Sequence, residues 1–174
     1  MKKGLGLLTI QIFAFSILSM GIDFSFAGSE PFDEKMLPIL SEYLIIADKL
    51  ASDKTERVTE AAKKIEELAG SLSPSLVTGE HASHYKNLPK NIAEAAKKMS
   101  QAKDIASMRS SLVELSKPMG MWTSMSKPAG INLVYCSMRP GAWLQKGSVI
   151  RNPYYGAKMA RCGEIVSGPD AKKK

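Results

Sequence analysis

Apolar positions recur at helical spacing in four separate stretches of the chain. Met36, Ile39, Leu40, Tyr43, Ile46, Ala47 and Leu50 follow the i, i+3, i+4, i+7 pattern of an amphipathic helix. Pro38 fits this helix if it falls in the first turn, where a missing N–H costs nothing. In the second stretch, Val58, Ala61, Ala62, Ile65, Leu68, Ala69 and Leu72 line one face, and Glu60, Lys63, Lys64 and Glu67 line the other. Asp53 and Glu56 before it form a D-x-x-E start signal, and Gly70 is a stop signal near its end. Ser71 to Ser83 holds Pro74, Gly79 and four serines and reads as a connection. A third helix is predicted from about His84 to Ser100, with Leu88, Ile92, Ala95, Ala96 and Met99 inward and Pro89 near its start. Asp104 is an N-cap for a fourth, whose stripe is Ile105, Met108, Leu112 and Leu115, and which Pro118 and Gly120 end or bend. Short first and third links predict a mainly α fold, a four-helix up-down bundle.

The period then changes. Ile131, Leu133 and Tyr135 alternate with Asn132 and Val134, which predicts a strand over 131–136. Glu164-Ile165-Val166 is a second short β-like piece, and an antiparallel pairing of the two, a short β-hairpin, brings Cys136 and Cys162 near each other. Asn152-Pro153 marks a turn between them, and Gly156 allows an unusual backbone angle. Two short strands are marginal alone, so this unit must dock on the bundle or be stapled. The expected organisation is a bundle over 28–130, a C-terminal Cys/Met segment over 131–168, and a flexible basic tail over 169–174.

Residues 1–27 read as a secretory signal peptide. Lys2 and Lys3 precede an uncharged, mostly apolar run from Leu5 to Met20, and Ser25-Phe26-Ala27 supplies the small-x-small cleavage pattern. Cleavage is expected after Ala27, giving a periplasmic or secreted protein without a stable membrane anchor. That compartment is oxidising, and disulfides persist there.

The formal net charge of +7 does not point to nucleic acid. The lysines alternate with glutamates on solvated helix faces, and no basic–aromatic interleaving of the kind used by single-strand binders appears. No phosphate-binding glycine loop, H-E-x-x-H, G-x-S-x-G or C-x-x-C motif is present, so an enzyme is not expected.

The candidate chemistry lies in Tyr135 to Gly163, which contains both cysteines of the chain. Met138 follows Cys136 by two residues and Met159 precedes Cys162 by three. Thiolate and thioether sulfurs select soft cations, so Cys136, Met138, Met159 and Cys162 form a candidate site for Cu(I) or another soft metal ion. A Cys136–Cys162 disulfide, with the methionines as packing, uses the same sulfurs and stays open as the alternative. His81 and His84 read as solvated histidines, and Met119, Met121 and Met125 as core filling. Trp143, Tyr154 and Tyr155 either pack this segment onto the bundle or form a partner-binding patch.

The pattern Y-C-S-M…W-L-Q…I-R-N-P-Y-Y-G-x-x-M-x-x-C-G resembles the C-terminal signature of a bacterial exported domain-of-unknown-function family, numbered three-three-four-seven. Members of that family occur alone or fused to periplasmic adaptor subunits of heavy-metal efflux pumps, and pair a helical bundle with a Cys/Met tail. The resemblance implies a role near metal homeostasis, with a metal-efflux adaptor or pump component as partner. Tyr135 to Pro140 is also similar to the Tyr-x-Cys-Pro-Met-His-Pro element of small heavy-metal-binding domains. It departs from that element in three ways. No residue separates Tyr135 from Cys136, Ser137 replaces the proline, and Arg139 replaces a histidine, which removes one ligand.

Overall fold

A computed structural model describes residues 31–78, 82–139 and 141–172. The expected signal peptide and His81 lie outside them. Five helices, α1 (Pro31–Ala51), α2 (Val58–Gly70), the one-turn α3 (Ala82–Tyr85), α4 (Leu88–Ser100) and α5 (Ile105–Ser126), precede three strands, β1 (Ile131–Cys136), β2 (Gly141–Lys146) and β3 (Glu164–Ser167). No helix among the described residues is long and apolar enough to cross a membrane.

The helical stripes are the core. Met36, Ile39, Tyr43, Ile46 and Leu50 of α1, Val58, Ala62 and Ile65 of α2, Leu88, Ile92, Ala96 and Met99 of α4, and Leu112, Leu115 and Met119 of α5 are all buried. The helix α2 packs on α1 and α4, and α4 packs on α5. Asp104 caps α5 as expected, accepting from the Ser107 N–H at 2.8 Å, while the Ser107 hydroxyl closes a reciprocal box.

Three local expectations fail for identifiable reasons. The helix α1 begins at Pro31, so Pro38 lies in its interior rather than its first turn. Of the two outcomes expected at Pro118, an end or a bend, the end does not occur: α5 runs on to Ser126, because Pro118, Met119 and Trp122 are all buried and tertiary packing outweighs the local cost. The Trp122 indole N–H also donates to Asp33 at 2.8 Å, tying the end of α5 to the start of α1. Finally, Asp53 does not cap α2. Arg57 occupies the N-cap position in a left-handed conformation with no side-chain cap, and the Asp53 carboxylate is spent elsewhere.

The strands form one antiparallel sheet in the order β2-β1-β3. The expected β1–β3 pairing is present, with Val134 opposite Ile165 and Tyr135 opposite Glu164. The hairpin itself is β1–β2, with Cys136 opposite Gly141 and Ile131 opposite Lys146. Strand β2 has no period-2 signature because Trp143, Leu144 and Gln145 are buried in succession. Gln145 tolerates this because its amide donates to the Gly147 and Val149 carbonyls and its oxygen accepts from the Trp143 indole and the Arg151 N–H. In the stretch expected to be mobile, Asp170 is tied to Asn132 by two hydrogen bonds.

A buried hydroxyl network docks the sheet on the helices. Tyr43 of α1 meets Ser116 of α5 at 2.6 Å and accepts from the Leu144 N–H of β2 at 3.3 Å. Tyr154 donates to the Ala142 carbonyl and reaches the same Ser116 hydroxyl. The two tyrosines therefore use backbone groups of β2 that do not pair with β1. Burial raises both phenols, Tyr43 to about 12, so the network stays neutral at physiological pH.

Candidate functional site

The loop between β2 and β3 folds around Asn152, which is fully buried. Its carbonyl oxygen accepts from the backbone N–H groups of Tyr154 and Tyr155 at 2.8 and 3.2 Å, an Asx turn that the following proline favours. Its amide donates to the Cys162 carbonyl at 2.7 Å. One side chain thus fixes both the start of the loop and the position of the second cysteine.

A clamp from the helices holds the far side. Arg109 of α5 donates to the Leu50 and Pro153 carbonyls and pairs with Asp53 at 2.6 Å, while Asp53 accepts from the Ala157 N–H at 2.8 Å. Those two bonds, the backbone one foremost, hold the Asp53 carboxyl below its ordinary range. A depressed carboxylate stabilises the docked loop above its unfolded pKa, and the contribution is lost as pH falls through the folded one. The loop is expected to stay docked from neutral pH to about pH 4 and to loosen below that. Amide exchange at Ala157 as a function of pH checks this; protection that does not change down to pH 2 refutes it.

These constraints bring Cys136 and Cys162 together. Their Sγ atoms lie 3.2 Å apart, with Cys136 fully buried and Cys162 half-buried. Cys136 ends β1 at the mouth of the hairpin, and the turn residues Ser137 to Arg139 follow it. Burial pushes the Cys136 thiol up, but the Arg139 N–H, the Cys162 thiol, the Met138 N–H and the Asn152 amide outweigh it and hold it below its usual value. Cys162 is pushed up, first by donating to Cys136, then by burial and by the charge on its neighbour. In the reduced pair the two sulfurs are within hydrogen-bond reach, and Cys136 is the easier of the two to deprotonate.

The methionines stand differently. Met138 is 64% exposed, and its carbonyl accepts from the Tyr155 hydroxyl at 3.1 Å. Met159 is half-buried at the end of the 3-10 turn Gly156–Met159, and its carbonyl accepts from the Cys162 N–H at 3.0 Å. Arg139, at the position where the similar heavy-metal element carries histidine, donates to Ser110 and lies 5.8 Å from the Tyr154 ring centroid. Among the described residues no group of three or more His, Cys, Asp or Glu side chains is placed to hold a metal ion.

The aromatics pack rather than project. Trp143 and Tyr154 are buried and meet edge to face at 5.6 Å. Met119 is buried and Met121 is 44% exposed, so these residues, two apart on α5, do not share a face. Sequence reasoning missed Asn152, Asp53 and Arg109 as the parts that position the cysteines. The Asn-Pro dipeptide was the one available signal.

No curated protein and no solved structure matches the chain. One family model does match, over residues 39–129, from within α1 to just past α5, and it stops before β1. More than half of the chain is covered, through the helices rather than the cysteine-bearing segment, and the chain belongs to the family described as "Protein of unknown function (DUF3347)".

Proposed function

We propose that the reduced Cys136–Cys162 pair binds one soft cation, with Cu(I) the best fit, and that the protein acts outside the cytosol as a metal buffer, carrier or accessory to an efflux adaptor. The observation carrying this reading is the 3.2 Å approach of the two sulfurs. A thiolate is the form that ligates, and a soft, sulfur-only donor set favours Cu(I) over oxygen-seeking cations. Met138, largely in solvent beside the pair, is free to add a thioether, and Met159 adjoins Cys162 in sequence. The helices, read as an up-down bundle, serve as the scaffold that fixes the pair.

A second reading uses the same contact. Oxidation joins the sulfurs and staples a non-metal interaction module. Closing a loop of this length adds about 3–4 kcal/mol by the chain-entropy model.

One experiment separates them. Reduced and oxidised protein are titrated with Cu(I) against a chromogenic chelator, beside the Cys136→Ser/Cys162→Ser double variant. The metal reading expects retention by the reduced form alone and a loss of at least about a hundredfold in the double variant. Reduced protein that does not compete ends the metal reading. Exported material with no free thiols and a melting temperature lowered by reductant then supports the staple.

A further inference from the structure

The helix α1 carries more apolar surface than the core uses. Beside the buried stripe, Leu37 is 52% exposed, and Leu44 and Ile45 are half-buried. With Leu40 they form one wall of a groove of about 700 Å³. Ile131 and Trp143 contribute to the opposite wall, which the sheet supplies. That volume is within the range of small-molecule sites. From Leu37 to Asp48 the groove follows twelve residues of α1, whose Cα atoms span about 16 Å, the length of an extended alkyl chain of about twelve carbons.

The charges along it are of one sign with a single exception. Lys49, Arg57 and Arg151 line the end where α1 terminates, and Lys146 adds a cation from β2. Asp48 is the opposing carboxylate, and it is paired with Arg151 at 2.7 Å. An anionic head group at that end complements the excess.

The backbone of the groove excludes an extended peptide. The Leu144 N–H of β2 is taken by the Tyr43 hydroxyl and the Ala142 carbonyl by Tyr154, and the Gln145 amide is fully engaged. No buried polar side-chain atom among the described residues lacks a partner. An extended peptide laid here would bury its own amides without hydrogen bonds, at a cost of several kcal/mol, about 1–3 for each. A hydrocarbon has none to satisfy.

We propose that the groove between α1 and β2 binds a free long-chain alkyl carboxylate, its chain along Leu37, Leu44 and Ile45 and its head group among Lys49, Arg57 and Arg151. The site is separate from the cysteine pair and does not depend on how that pair is used. The test is calorimetric titration of the purified protein with dodecanoate below its micellar range. Saturable one-to-one binding is expected, with amide shifts confined to α1 and β2. Dodecanol, butyrate, Leu44→Glu and Arg57→Glu/Arg151→Glu are each expected to weaken binding by about tenfold or more, with both variants retaining the parent melting profile. Absent binding, equal affinity for dodecanol, displacement by an acidic apolar peptide at equal affinity, or preference for anionic vesicles over free dodecanoate would overturn it. If Leu44→Glu fails to fold, the arginine variant and the dodecanol comparison still decide.

Discussion

Gly156→Ala is expected to release the cysteine-bearing loop from the helices. Gly156 has φ +58°, and a Cβ there would stand 2.1 Å from the Asp53 Oδ1 and 2.4 Å from an Arg109 guanidinium nitrogen. Neither group has slack, because Asp53 also holds Ala157 and Arg109 also holds Pro153 and Leu50. The left-handed backbone costs an alanine about 1–2 kcal/mol. Displacing the clamp adds to that cost, so the loss is expected to exceed the backbone cost alone. Gly147 is the control. It has φ +74° but open space around its Cβ position, so Gly147→Ala carries the backbone cost alone. Tryptophan fluorescence and thermal melting of the two variants provide the comparison. Equal melting temperatures would mean that the clamp is not what holds the loop.

The same residues show why the helices were legible in the sequence and the site only partly so. A helical stripe is local. Met36, Ile65, Ile92 and Leu112 each repeat at a spacing that any helix imposes, and each is buried. The strand over 131–136 was legible for the same reason, as was its pairing with β3. Strand β2 was hidden because Gln145 interrupts the apolar run and is nonetheless buried, its amide satisfied by contacts that span only a few residues but need the folded loop. The Pro140-Gly141 dipeptide before it in the sequence was the overlooked cue to a hairpin. Asp53 misled in the opposite direction. Its spacing to Glu56 imitates a helix start, but its partners are Arg109 and Ala157, which lie 56 and 104 residues away. No local pattern encodes such partners. The proximity of the two cysteines followed from strand pairing, whereas the Asn152 contact that fixes Cys162 depends on loop geometry that spacing does not reveal.

Ile65→Asp is expected to unfold the helices outright. Ile65 is fully buried in α2, which packs on both α1 and α4. The change forfeits about 1.5–3 kcal/mol of apolar burial and places a carboxylate where no cation waits, which costs several kcal/mol more. A domain of ordinary stability, about 5–15 kcal/mol, loses most of its margin. Lys63→Asp, on the exposed face of the same helix, is expected to change stability by no more than about 0.5 kcal/mol. Far-UV circular dichroism reads the helices, and the reactivity of Cys136 toward a thiol reagent reads the sheet. Both signals should change in Ile65→Asp, because the sheet rests on Tyr43 of α1 and Ser116 of α5. In Gly156→Ala the thiol should become reactive while the helical signal holds. The order of dependence therefore runs one way, from helices to cysteine pair, and retained helicity in Ile65→Asp would show the assigned face of α2 to be wrong.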